Sequence, residues 1–429
     1  MVALAVLQSC SIPALAAGEL QRIEELEKQL ARSMQLIEQL SSRLNQVEAG
    51  KSASPAGTGG AAQMDAQAER IERLEQSVVR VSENAARSGD LGVPLHGFAD
   101  VGYSRSSRPI TGLKSGFTLG NLDLYMTPQI GDRVRSIVEL VFEYGPDNVG
   151  VATDLERLQF GYQFSDAATV WVGRFHTPYG FWNTAFHHGQ QIQTAATRPR
   201  FIEFEDKGGI LPAHAVGLLA SGSARAGAGR LHYDAYLANG NRIVGGVLDF
   251  NAFKDDNASK LIGGNLRYAF GGSLEGLTLG LHGFAQKVGE YDADKALVSS
   301  TKVMMTGAFA ALDKDNWEVI GEYYRFRNTD LSGGTGTHAS WAGFAQAGYT
   351  LAGRWTPYLR VEKAALDQAD NYFAAQESGR SYTREALGLR YNLTTNSAVK
   401  IELDHVQQRQ RDTTLIKANE ARLQFAVRF

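Results

Sequence analysis

The sequence predicts an all-β fold: an antiparallel transmembrane β-barrel of about sixteen strands, preceded by an α-helical coiled-coil segment. Three observations carry that expectation. Beyond Leu95, segments of about ten residues alternate apolar with polar side chains, the period of an extended strand with lipid on one face and water on the other. The breaks between these segments alternate between very short turns and longer polar loops, as in a meander crossing a membrane. Upstream, apolar residues recur instead at heptad spacing.

Composition agrees. The chain has 429 residues, with 46 Gly, 10 Pro and 10% aromatics, a balance that suits many short strands joined by turns. A formal net charge of -3 gives no electrostatic footprint for nucleic acid. Residues Val2 to Ala17 carry no charge and include Ala14-Leu15-Ala16, so residues 1–16 read as a secretory signal peptide. The positive leader of such a signal is missing, which places the expected true start upstream of Met1. Leu7-Gln8-Ser9-Cys10 offers a lipobox reading, to which Gln8 is ill suited. Cys10 is the single cysteine, so cleavage after Ala16 leaves no disulfide, thiolate metal site or Cys nucleophile. Past this segment no apolar run reaches the ~18 residues of a membrane helix.

The first coiled-coil stretch is residues 17–48. Ile23, Leu30, Ile37 and Leu44 fall at a positions, and Leu26, Leu40 and Val47 at d, with Ser33 as the polar d. Residues 49–63 turn to Gly, Ala, Ser, Thr and Pro55, a flexible linker. A weaker run over 64–89 has Met64, Ile71, Val78 and Ala85 at a, with Leu74 and Val81 at d. So narrow a seam needs a partner helix, and self-association is expected, with dimer and trimer both open.

The barrel is assigned to residues 90–429. Its clearest strand is the last, where Ala421, Leu423, Phe425, Val427 and Phe429 alternate with Glu420, Arg422, Gln424 and Arg428. A terminal aromatic completing such a face resembles the signal read by the barrel-assembly machinery, with Phe425, Val427 and Phe429 as its residues. Val134, Val138, Leu140, Phe142 and Tyr144 likewise oppose Arg133, Arg135, Glu139 and Glu143. Trp355, Leu359 and Val361 oppose Arg354, Tyr358, Arg360 and Glu362, while Leu387, Leu389, Tyr391 and Leu393 oppose Arg384, Arg390 and Asn392. Short turns are read at Gly131-Asp132, Ser165–Ala167, Gly271–Ser273, Asp313–Asn316, Ala352-Gly353 and Thr394–Asn396. Long polar loops fall near 105–116, 145–152, 240–259, 292–300, 328–338, 367–379 and 408–415. With both termini at the short-turn end, the coiled coil is expected in the periplasm and the barrel in the outer membrane.

One connection is longer than the rest. After the strand Thr169–Phe175 the chain loses periodicity until about Ala213, and 176–213 is the candidate constriction loop. The run Val172-Gly173-Arg174-Phe175-His176-Thr177-Pro178-Tyr179-Gly180 resembles the strand-to-loop signature of the phosphate-selective porin O/P family, through Gly173, Phe175, Pro178 and Gly180. The resemblance implies sixteen strands, a homotrimer and an inward third loop. It departs at His176, where members commonly have Lys, and the Lys-rich lumen tied to phosphate is not evident.

The expected pore-lining and constriction residues are Arg133, Arg135, Arg157, Arg174, Arg354, Arg360, Arg384, Arg390 and Arg422 on strands, and Arg198, Arg200, Glu203, Glu205, Asp206 and Lys207 on the loop. Arg267, Lys400 and Arg428 join the inward bases, against Glu139, Glu143, Glu362, Glu402, Asp404 and Glu420. Bases outnumber acids, which favours anions such as phosphate or other oxyanions mildly. The facing signs on the loop point instead to the transverse field of a general diffusion pore for small hydrophilic solutes. No enzyme motif, cofactor or metal is expected: His176 with His187-His188 has no carboxylate or further His at ligand spacing, and His282 and His405 sit in no triad pattern. A second class remains open, in which the barrel is mainly an anchor and the coiled coil an envelope tether or partner-binding rod.

Overall fold

The computed structural model describes residues 95–108, 115–144, 151–186, 189–204, 207–249 and 257–429. The signal peptide, both helical runs and the linker therefore lie outside the described residues, as do His187, His188, Glu205 and Asp206.

Among the described residues, sixteen long strands form one antiparallel meander that closes on itself. The first eight are β1 (Leu95–Ser106), β2 (Gly116–Met126), β3 (Val134–Tyr144), β4 (Val151–Ser165), β5 (Ala168–His176), β6 (His214–Ala226), β7 (Gly229–Asn239) and β8 (Lys260–Ala269). The others are β9 (Leu277–Tyr291), β10 (Leu297–Lys314), β11 (Trp317–Asp330), β12 (Thr337–Tyr349), β13 (Trp355–Ala365), β14 (Tyr382–Thr394), β15 (Ser397–Arg409) and β16 (Leu415–Arg428). Short pieces at Gln129–Ile130, Arg242–Val244 and Val247–Leu248 decorate the rims. Closure satisfies the backbone groups that an open edge would leave in lipid. Phe98↔Arg428 begins the β1–β16 register, and Gly97 and Phe429 exchange hydrogen bonds of 2.9 and 3.0 Å.

Every strand end predicted from the turn residues is present. The turn at Gly227-Ala228, between β6 and β7, was not among them: Gly227 takes φ +59°, but no polar residue marks it. The connection between β5 and β6 is the third long one from the N-terminus.

The outer surface is hydrocarbon, with Leu281, Leu359, Leu387, Leu403 and Leu423 exposed. Aromatic pairs rim this band. Trp317–Tyr349 and Trp355–Tyr391, with ring centroids 4.8 and 4.2 Å apart, lie at the short-turn end, and Tyr323–Trp341 lies toward the long loops. Amphipathic rings at two levels mark the two faces of a bilayer.

The inner surface departs from the expected polar lining. On β13, Thr356, Tyr358, Arg360, Glu362 and Ala364 are buried while the alternate residues face out, as the period of two predicts. On β9–β12 the buried inward residues include Phe284, Val288, Val303, Met305, Ile320, Tyr324, Phe326 and Phe344, set among Gln286, Thr301, Glu322, Asn328 and Gln346. Large apolar residues thus stand on both faces, which blurs the hydrophobic alternation there.

Candidate functional site in the barrel lumen

The long loop, 177–213, accounts for the buried inner face. Its neck is closed by Thr177 N–H donating to Ala213 carbonyl oxygen at 2.9 Å. From there the chain turns inward. Tyr179, Trp182, Phe201, Ile202, Ile210 and Leu211 are at most 1% exposed and join one apolar cluster with the inward residues of β9–β12. Trp182 meets Phe344 edge-on at 5.7 Å, and Phe201 meets Tyr324 at 4.9 Å. Burying a side chain of this size contributes about 1.5–3 kcal/mol, so several together hold a loop without regular structure.

The four signature residues build the turn into the lumen. Gly173 has φ +128°, and a side chain there would run into Leu158 carbonyl oxygen. Phe175 is buried against Tyr236. Pro178 holds the preceding Thr177 extended. Gly180 has φ +63°, and a side chain would collide with the Glu322 carboxylate. That carboxylate accepts from Phe181 N–H at 3.1 Å, Trp182 N–H at 2.7 Å and Tyr324 hydroxyl at 2.6 Å. It therefore caps the short helix α1 (Trp182–Ala185), whose first N–H groups have no intrahelical acceptor.

The opposite flank of the loop is pinned by charge. Arg360 bridges Glu362 at 2.9 Å and donates to Thr197 carbonyl at 2.7 Å. Arg384 spans Glu362, Glu402 and Asp404, and Arg422 joins Asp404 to Glu420. The loop backbone completes the ladder. Ala196 N–H donates to Glu402 at 3.1 Å, Arg200 N–H to Glu362 at 2.7 Å, and Phe201 N–H to the Tyr382 hydroxyl at 3.0 Å. Arg390 donates to Gln193 carbonyl at 2.7 Å, and Lys400 to the carbonyls of Gln190 and Ala195.

Counting charges along the sequence thus overstates the positive lumen. Arg157 pairs with Glu139, Arg267 with Asp234 at 2.8 Å, and Lys207 with Glu143 at 2.5 Å. Arg135 donates to Gln163 at 3.1 Å. Arg174 is buried and donates to Glu156 carbonyl, while fully buried Arg198 donates to Ile202 carbonyl and reaches Glu203 at 3.7 Å. Arg133 and Arg354 lie in short turns at the rim, and Arg428 sits there with Asn396. Arg200 differs: its guanidinium lies 5.1 Å over the Tyr382 ring, with no carboxylate in ion-pair contact among the described residues.

A second inward loop, 366–381, packs against the first, which the sequence reading took for a solvated polar connection. Its helix α2 (Asn371–Ala375) is capped by Asp370, which accepts from Tyr372 N–H at 3.0 Å and from Asn328 at 2.8 Å. Burial pushes the Asp370 carboxyl above its ordinary value, and the same desolvation lowers Arg380. Tyr372 donates to Ile210 carbonyl, tying the loops together. The one available sequence signal was Tyr372-Phe373, two large aromatics in an otherwise polar stretch.

At the neck the structure also assembles what spacing did not show. His176 and His214 are cross-strand partners, and Glu156 lies beside them.

No protein-family model and no curated protein matches the chain. Solved structures do match, each over 78% of this chain. An anion-selective porin from Comamonas acidovorans is 15% identical, covered over 99% of its length, with a TM-score of 0.54. The outer membrane channel DcaP of Acinetobacter baumannii is 10% identical, covered over 96%, with a TM-score of 0.52. The outer membrane protein OmpT of Vibrio cholerae, in a trimer form, is 10% identical, covered over 98%, with a TM-score of 0.51. The fold is that of an outer-membrane porin. In this porin fold the third long loop packs against the inner wall of β9–β16, and its signature residues are those that turn it inward.

Proposed function

We propose that the protein is an outer-membrane porin of a Gram-negative bacterium: a passive, water-filled channel for small hydrophilic solutes with a mild preference for anions, phosphate or other oxyanions among them. The observation that carries the reading is a closed barrel whose long loop is folded inside and fixed to the wall by named contacts, a permanent constriction. An apolar outer band between aromatic rims supports placement in a bilayer. Anion preference rests on Arg200, the constriction cation stacked on Tyr382, which makes no ion-pair contact with a carboxylate among the described residues although Glu362 and Glu420 lie near enough to interact. A cation so placed attracts an oxyanion through Coulomb energy and charge-assisted hydrogen bonds. The named O/P specificity is the finer half of the proposal. Homotrimeric assembly, helped by the heptads over 17–48 and 64–89 in the periplasm, belongs to the same reading, and a solved neighbour is a trimer form.

Reversal potential under a KCl gradient, with the refolded protein in planar bilayers, tests it. The anion-shifted potential of the wild type should move toward zero or cation selectivity in Arg200→Glu, and phosphate should block chloride current. An unshifted potential in that variant removes Arg200 from the account, and absence of any conductance removes the channel.

A further inference from the structure

We propose that Glu156, His176 and His214 form a binding site for one divalent transition metal ion of the zinc type, and that this ion clasps the two ends of the constriction loop. His176 is the last residue of β5 and His214 the first of β6, and they face each other as Cα partners with ring centroids 5.2 Å apart. Glu156 reaches them from β4. One ligand atom from each residue, two imidazole nitrogens and a carboxylate oxygen, lies within 4.8 Å of the other two. Metal–ligand bonds of about 2.0–2.2 Å need those atoms about 3.3 Å apart, so small side-chain rotations suffice.

Donor chemistry selects the ion. Two imidazoles with one carboxylate suit Zn²⁺, Co²⁺ or Ni²⁺ better than Ca²⁺ or Mg²⁺, which take oxygen shells. Glu139, with Oε2 at 3.1 Å from His176 Nε2 and paired with Arg157, lies beside the site, and water would complete the fourth position. Phe204 stacks on the His214 ring at 6.3 Å and 9°, covering the site from the loop side.

The charge balance is an independent argument. Asp123, Glu139, Asp154 and Glu156 interact with one another here, opposed by Arg157 and Arg174. Glu143, close by, is engaged with Lys207. Carboxylates outnumber guanidinium groups around the site, which favours a cation in a place where water screens poorly. A bound ion would join β4, β5 and β6 at the level where Thr177 and Ala213 close the neck, holding the ends of the loop. The site does not depend on which solute crosses the barrel.

The test uses the full chain, refolded, stripped with chelator and titrated with Co²⁺ while visible absorption is recorded. The expected result is one Co²⁺ per chain with the intense bands of a four-coordinate nitrogen–oxygen site, displaced by Zn²⁺. His176→Gln and His214→Gln should each weaken binding at least tenfold, and Glu156→Gln should do so while keeping the residue's shape. The double variant His187→Ala/His188→Ala should bind as the wild type does. Heat-modifiable migration of each variant confirms a folded barrel. No stoichiometric binding, or binding that survives loss of His176 and His214 and disappears with His187 and His188, overturns the proposal.

Discussion

Strands β9–β12 and β13–β16 bear the same apolar outer band, yet they hold the same loop by opposite means. Beneath β9–β12 the contact is mainly hydrocarbon and aromatic, with Trp182 and Phe201 set among Phe284, Ile320, Tyr324 and Phe344 and with Glu322 and Glu318 accepting from the loop beside them. Along β13–β16 it is a ladder of buried ions whose remaining hydrogen-bonding capacity is taken up by loop N–H and carbonyl groups. The apolar contact is non-directional and supplies most of the binding energy. The ionic one is directional: each buried charge needs its partners, so it fixes register more than it adds stability. One loop held both ways is firmly attached and uniquely placed.

Trp182→Ala should show the largest effect on that comparison. A cavity of this size costs about 3–5 kcal/mol, enough to free the loop from β9–β12 while the ladder persists. Urea unfolding should report the loss, and single-channel records should become noisy. Normal stability would mean that the aromatic contacts contribute little.

Glu402→Gln comes next. The carboxylate accepts from Ala196 N–H, the Thr197 hydroxyl and the Tyr358 hydroxyl, and pairs with Arg384. An amide keeps the shape but removes the charge, costing about 1–3 kcal/mol through weakened hydrogen bonds. Loss of register should appear as several conductance levels in place of one. A single unchanged level would assign placement of the loop to the apolar side.

The smallest effect concerns pH at the outer loop. Asp367 is held below its usual range, first by the Ala369 backbone N–H and then by the hydrogen bond with His338, at 2.8 Å. A depressed acid contributes above its unfolded value of about 3.9 and loses that contribution as pH falls through the folded value. The protection factor of the Ala369 amide, its exchange rate corrected for the intrinsic pH dependence, should therefore fall only in acid, and Asp367→Asn should abolish that change. Equal pH dependence in both proteins would contradict the assignment.

Much of this was legible in the sequence. Alternation along β13–β16, turn residues such as Gly131-Asp132 and the length of 176–213 pointed to the barrel and its third loop. The rest was hidden for physical reasons. Strands β9–β12 carry large apolar residues on both faces, so periodicity could not announce an inner wall that packs against the loop. Charges could be counted but not paired, and Arg360, Arg384 and Arg390 serve the loop as anchors where a polar pore lining was expected. Glu156 and His214 stand far from His176 along the chain, and only strand pairing brings them together.

The most direct test of a lumen narrowed by a wall-bound loop is single-channel conductance of the wild type against a variant with residues 181–204 replaced by a short Gly-Ser link. Several-fold higher conductance with a barrel that still folds is the predicted result. Equal conductance would contradict it, because the loop would then not be the constriction.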